Sequence, residues 1–265
     1  PILSHINLML DGNPEYADSL FGRSYPPFGC MRQTDLRREY SATIMTRGFA
    51  FYSYLTATRL PGQILSDMRS IAAKALDQSI SRYRKNAEAF SSLDGTKNPP
   101  GNWNPRVIDF ADLSRMAADL LGSNFDLFVE ESLASRTKDA DERDRAIALV
   151  EAMVELCGLA GPLVVVGFLP PWYPHRSSLG DSERERTAAW AAGETVREGE
   201  IRFGETLQLR PFFEGVSDLS YCGFQGPPSE MDVFARNMPG WGKLYSLPTD
   251  ALAELDIPVL NLGPL

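Results

Sequence analysis

The feature that most constrains the fold is an apolar stripe that begins after Pro61. Ile64, Met68, Ile71, Ala75, Ile80 and Tyr83 recur at helical spacing, and Leu65, Ala72 and Leu76 widen the stripe. A helix with so broad an apolar face must bury it against another layer. Pro61 suits the first helical turn, where its missing N–H costs nothing. At 265 residues and 43% hydrophobic, the chain can supply that layer, as one large domain or two small ones.

Other elements are legible around this helix. Ile2, Ile6, Met9 and Leu10 keep helical spacing until Gly12-Asn13-Pro14 breaks it. Aromatic and β-branched residues from Phe28 to Leu36 and from Tyr40 to Thr56 flank Arg37-Arg38-Glu39 and predict a hairpin. Asp94 to Pro105 predicts a loop, Arg106 to Phe110 a short strand, and Asp112 to Leu121 a helix. Asp141 to Cys157 predicts a helix with Ala146, Leu149, Val150, Met153, Val154 and Cys157 on one face. The unbroken β-branched run Leu163 to Leu169 predicts a strand buried on both faces or central in a sheet.

Beyond it, helices at Ser182 to Glu198 and Glu230 to Asn237 alternate with strands at Thr206 to Leu209 and Pro258 to Leu262. The expected class is α/β in the C-terminal third, joined to an α+β hairpin-and-helix layer before it.

Composition excludes several partners. A net charge of −9, with no dense Lys/Arg run, argues against nucleic acid and against an anionic membrane surface. No apolar run approaches the roughly 18 residues of a membrane span. Three cysteines, Cys30, Cys157 and Cys222, are too few and too widely spaced for a disulfide framework, so a reducing, cytoplasmic setting is expected. The chain opens on Pro1, so a targeting segment would lie upstream of it.

Chemistry-bearing residues are sparse. The two histidines, His5 and His175, stand in no HExxH, HxD or HxxxH setting, which argues against a self-contained zinc site. His5 reads as a surface or interface side chain. His175 follows Pro170-Pro171-Trp172-Tyr173-Pro174 on a stiff turn leaving a strand, a place where loops carry function. A Cys222–His175 nucleophile pair is chemically conceivable, although Cys222 beside Gly223 reads more simply as a packed small residue. No GxSxG, GxGxxG or P-loop motif is present. In Gly215-Val216-Ser217-Asp218-Leu219-Ser220, glycine allows close backbone approach, while the serines and carboxylate can cap a helix or grip a polar ligand. Pro239-Gly240-Trp241-Gly242 reads as a turn with an aromatic plug.

The order PPFGCMRQTDLRREYS, VVVGFLPPWYPH, FFEGVSDLSY, FARNMPGWGKLYSLP and DIPVLNLG resembles the arginine-utilisation (RocB) branch of metallopeptidase family 20, the aminoacylase and carboxypeptidase type. The resemblance spans nearly the whole chain. It implies a hydrolase of amide or peptide bonds with a catalytic α/β domain that holds two zinc ions. A lid domain of ferredoxin-like βαββαβ layout interrupts that domain and commonly dimerises. Residues 1–175 would be the lid, lacking its first strand and carrying an insertion at about 86–160. Residues 176–265 would be the C-terminal part of the catalytic domain.

By the same resemblance the metal ligands and the general base lie upstream of Pro1 and downstream of Leu265, so no catalytic or metal-binding residue is expected in this chain and it alone is expected to be inactive. Gly215, Ser217, Asp218 and His175 would be substrate-side residues. Ser41 stands where relatives carry an asparagine in the lid motif. The substrate would be a small amino-acid derivative or peptide, and the protein a homodimer through the lid. The rival expectation is a non-catalytic binding or dimerisation module.

Overall fold

The computed structural model describes residues 1–37, 44–95, 103–134, 140–178, 180–210, 213, 215–255 and 257–261. The long stripe forms a 34-residue helix, Pro61–Asp94, which ends on Gly95 in the left-handed conformation. Two acceptors satisfy amides at its first turn: Gln63 Oε1 takes the Leu60 N–H at 3.0 Å, and Glu230 Oε2 takes the Gly62 N–H at 2.6 Å. Leu65, Ile71, Ala72, Ala75, Leu76 and Ile80 are buried, but Tyr83 is 59% exposed. The helix therefore outruns the core, and its second half lies along the surface.

Another helix packs along this one. The first helix, α1 (Ile2–Leu10), buries Ile6 and Leu10 against the long helix. A hydrogen bond of 2.8 Å between His5 Nδ1 and Ser79 Oγ ties the two together, so His5 sits at a helix interface. Two-residue strands β1 (Ser19–Leu20) and β2 (Arg23–Ser24) pair antiparallel. The predicted hairpin forms as β3 (Gly29–Asp35) antiparallel to β4 (Gly48–Ser53), with a bulge between Cys30 and Arg32. Its turn, including Ser41, lies outside the described residues. The Pro61 helix is α2.

Strand β5 (Arg106–Asp109) pairs in parallel with β6 (Leu163–Val166). The connection between them carries α3 (Phe110–Leu121), α4 (Phe125–Ala134) and α5 (Glu142–Leu156). Asp109 and Asp141 cap α3 and α5 by accepting the Asp112 and Asp144 amides at 2.9 and 2.8 Å. Phe110, Leu113, Ala117, Val129, Leu133, Leu149 and Met153 form the core of this region. The helix α4 has no counterpart among the elements expected from the sequence.

After β6 the expected alternation of strands and helices fails. The remaining elements are α6 (Glu183–Phe203), α7 (Pro228–Arg236) and α8 (Thr249–Glu254), and no further strand occurs among the described residues. Thr206 to Leu209 is exposed coil, because no neighbouring backbone offers it a ladder. Residues 258–261 are likewise not a strand; Val259 bonds the hydroxyl of Ser178 through both its N–H and its carbonyl, and Leu262 lies outside the described residues. Nor is the 163–169 run central in a sheet among the described residues, where β6 pairs with β5 alone. It stops at Gly167, where a Cβ would meet Asn237 O at 2.7 Å, and the Phe168 N–H donates to that same carbonyl.

The chain is therefore a mixed α/β protein. Among the described residues no helix is long and apolar enough to cross a membrane.

Two buried polar junctions hold the layers. Asp18 is 4% exposed, and its carboxylate accepts the Ala57, Thr58 and Arg59 amides, the Thr58 hydroxyl and the Ser19 amide at 2.7–2.9 Å. Asn237 joins three elements: Oδ1 accepts from Ala111 N at α3, Nδ2 donates to Val233 O in α7, and its own carbonyl takes Phe168 N. Burial pushes the Asp18 carboxyl up, yet the hydrogen bonds from Thr58, Arg59 and Ala57 outweigh it and hold the group below its ordinary value. Its contribution to stability is thus present above the ordinary aspartate pKa and lost as pH falls through the depressed one. Asp18→Ala leaves several buried amides without an acceptor and is expected to cost about 3 kcal/mol in urea denaturation at pH 7, a loss that shrinks toward pH 3.

Candidate functional site

An open cleft of about 2120 Å³ runs through the molecule. One end lies between β4 and β6; the other is closed by the segments that follow β4, β6 and α6. His175, Gly215 and Ser217 all line it, so three of the four substrate-side residues expected from the sequence share one cavity. Asp218 does not line it; it opens the short 3₁₀ turn Asp218–Cys222.

The turn after β6 places His175. Trp172 stacks on Phe234 of α7 at 4.0 Å between ring centroids, and the Tyr221 and Tyr245 hydroxyls both donate to the Trp172 carbonyl at 3.0 Å. The half-buried His175 ring then lies between two partners: Nε2 is 3.2 Å from the Gln225 carbonyl and Nδ1 is 3.4 Å from Thr56 Oγ1. A carbonyl only accepts, so Nε2 carries the proton and Nδ1 accepts from threonine. Burial drives the imidazole below its ordinary pKa, opposed by the Gln225 hydrogen bond and by the negative charge of Asp18. Asp18 thus acts twice here, fixing the 57–59 backbone next to Thr56 and setting the charge near His175.

Beyond His175, Gln225 grips the Ser177 backbone from both sides, accepting its N–H at 2.7 Å and donating to its carbonyl at 2.5 Å. Arg176 and Glu185, with side chains 1% and 4% exposed, form a buried ion pair at 2.9 Å. Glu185 Oε2 also accepts the Gly180 and Asp181 amides, while Ser182 caps α6 by accepting the Glu185 amide. Burial raises the Glu185 carboxyl, but the Arg176 and backbone hydrogen bonds bring it below its ordinary range. This ion pair locks the turn that leaves His175 to the start of α6.

The 215–220 loop mainly serves structure. Ser217 caps the 3₁₀ turn through the Leu219 amide at 3.3 Å and donates its hydroxyl to Asn261 Oδ1 at 3.2 Å. A Cβ at Gly215 would strike the Phe213 ring at 2.8 Å, which accounts for glycine there. Trp241 packs edge-on to Phe234 and Tyr245, as the aromatic-plug reading of that turn expects. The ring nitrogens of His175 face Thr56 and Gln225, so neither is turned to Cys222 as a nucleophile pair would require.

The residues around His175 that the sequence did not single out are Asp18, Thr56, Gln225 and the Arg176–Glu185 pair. Their partners lie up to 119 positions away, and no local motif marks them. Among the described residues no three His, Cys, Asp or Glu side chains converge as a metal would require. His175 has both ring nitrogens engaged and His5 is bonded to Ser79, so these two residues do not fit a zinc site.

These features define a mixed α/β chain whose loops after β4, β6 and α6 converge on one cleft. No family model and no solved structure matches it. Among curated proteins, it is a distant homologue of two from Bacillus subtilis (strain 168). It is 29% identical over 264 residues to the uncharacterized protein YqjN, covering 99% of this chain and 47% of the relative. It is 24% identical over 269 residues to the protein RocB, covering 99% of this chain and 46% of the relative. The chain therefore spans about half the length of the curated relatives it matches.

Two measurements check this geometry. Glu185→Gln or Arg176→Met strands a buried charge or its donors and is expected to cost about 3–5 kcal/mol in chemical denaturation, whereas the double change Arg176→Met with Glu185→Leu costs less than either single change. His175 is expected to titrate by NMR below about pH 6.5. Its neutral form is the one the fold prefers, so its contribution is present above the unfolded value and is lost as pH falls through the folded one; His175→Gln flattens that dependence.

Proposed function

We propose that this chain forms the substrate-side walls of a RocB-like hydrolase that cleaves amide bonds of small amino-acid derivatives or peptides in arginine catabolism. The observation that carries the reading is the match to RocB along 99% of the chain, a span that takes in the segments whose residues His175, Gly215 and Ser217 line one cleft. In this reading the two zinc ions, their ligands and the general base come from parts of the polypeptide outside these residues. The chain itself supplies shape and polar contacts.

Each residue has a definite part in that role. The neutral, half-buried His175 is locked by Gln225 and Thr56, so it presents a fixed imidazole face to a substrate. Ser217 has a hydroxyl on the cleft wall that can exchange its Asn261 partner for a substrate group. Gly215 sets how close the backbone comes to the ligand, and Asp218, off the wall, acts by holding the turn that carries Ser217. The 1–175 region is assigned to the lid and the homodimer contact, and the setting to the cytoplasm.

The test uses the complete polypeptide, loaded with zinc and assayed on N-acyl amino acids and dipeptides. Metal-dependent hydrolysis is expected, with Ser217→Ala lowering kcat/KM by about tenfold through KM, equivalent to about 1.4 kcal/mol of binding. The 265-residue chain alone is expected to be inactive. Hydrolysis by that chain alone, or none by the zinc-loaded complete protein, overturns the reading, and the latter result favours a binding or dimerisation module.

A further inference from the structure

The short β1–β2 hairpin ends on a residue that suits its turn poorly. The strands pair Ser19 with Ser24 and Leu20 with Arg23, so Phe21 and Gly22 form a two-residue connection. Both have positive φ, 51° and 73°, as a tight turn matched to the strand twist demands. Glycine takes that conformation freely and asparagine tolerates it. A bulky side chain does so only under strain, and among the described residues Phe21 is the sole non-glycine with positive φ.

Such strain persists where the surroundings enforce it, and here the hairpin is held at its root. Leu20 and Leu55 pack on Tyr25 and Ala57 in a small cluster apart from the main core. The Tyr25 N–H donates to the Asp18 carbonyl at 2.8 Å, while the Asp18 carboxylate holds the amides of residues 57–59. With Leu20 committed to that cluster and paired with Arg23, Phe21 is carried into the turn. The fold gains little from its ring, which is 56% exposed on the wall of the cleft.

The root also sets where the tip stands. Its Asp18 anchor lies on the backbone next to Thr56, the partner of His175, and the Tyr25 hydroxyl donates to the Phe213 carbonyl at 3.0 Å, two residues before Gly215. At a strand rise of about 3.4 Å per residue, the tip is about 10 Å from Asp18. Phe21 therefore belongs to the end of the cleft that holds His175, Gly215 and Ser217, and the exposed Phe213 and Val216 add apolar surface to the same wall.

We propose that Phe21 is a specificity-determining contact of this cleft, an aromatic face that receives the apolar acyl group or apolar side chain of an N-acyl amino acid. The proposal rests on the reading that the cleft takes small amides, and it adds which part of such a molecule is recognised. A ring on an anchored turn offers a ligand a large apolar contact with little left to order on binding. Asparagine in this turn would serve the fold better, so the turn alone does not account for the ring.

Phe21→Asn separates a ligand contact from a structural role, because it relieves the turn while removing the ring. In the complete, zinc-loaded polypeptide the urea midpoint is expected to stay or rise. N-acetylphenylalanine and N-benzoylglycine carry their aromatic groups on opposite sides of the amide. The KM of at least one is expected to rise about tenfold, which identifies the side that meets Phe21, while that of N-acetylglycine changes less than about twofold. A midpoint that falls overturns the proposal, since it makes the ring a packing residue. So does an unchanged KM for both aromatic compounds, or an equal change for all three. If none of the three is hydrolysed, the hydrolase reading fails, and calorimetric titration with the same compounds decides this proposal separately. A Kd about tenfold weaker for an aromatic compound in Phe21→Asn supports it; an unchanged Kd, or no binding to the unsubstituted protein, overturns it.

Discussion

The burial of one face of α2 is the constraint on which the rest of the structure depends. Ile71, Ala72 and Ala75 are almost wholly sequestered, and α1, the strand layer and α7 all find their places against this helix. Small residues at positions 72 and 75 let neighbours approach closely, whereas Leu65, Ile71, Leu76 and Ile80 bury larger apolar side chains. Apolar burial is not directional, so it brings elements together without setting their registry. Registry comes from buried polar groups.

Three such groups divide the task. Asp18 collects the amides of the segment entering α2, Asn237 ties α3 and the exit of β6 to α7, and the Arg176–Glu185 pair fixes the turn into α6. Each is costly to bury unless its hydrogen bonds are made, and that cost is what makes each specify one arrangement. Two of them also bear on the cleft. Asp18 positions the backbone beside Thr56 and places negative charge near His175, while the ion pair holds the segment that follows His175. The candidate site is thus built as an extension of the framework that joins the layers.

Legibility in the sequence followed the range of the interactions. The helices α1, α2, α3 and α5 were readable because a 3.6-residue period is local, and the Ser217 cap was readable because its acceptor and donor are two residues apart. The helix α4 was missed because its segment is short and the exposed Leu127 beside Phe128 and Val129 blurs the period of the face that buries Val129 and Leu133. The Thr206–Leu209 and Pro258–Leu262 runs have strand composition, yet a strand exists only with a hydrogen-bonding neighbour, and the described residues of both runs have none. The same rule bears on β6, whose β-branched run suits a sheet centre although among the described residues it pairs with β5 alone.

By itself, the sequence determined the apolar faces, the turns and the interest of the His175 turn, because each is encoded over a few neighbouring residues. The resemblance it carries pointed to a RocB-like chain, and the collinear match over 99% of its length agrees with that. Only the tertiary structure decided that His175 meets Thr56 and Gln225, that Asp18 stands behind them, and that β4 and β6 line one cleft. Those relations join residues tens to more than a hundred positions apart. Such partners are chosen by packing and by the need to satisfy buried polar groups, and neither leaves a local pattern in the chain.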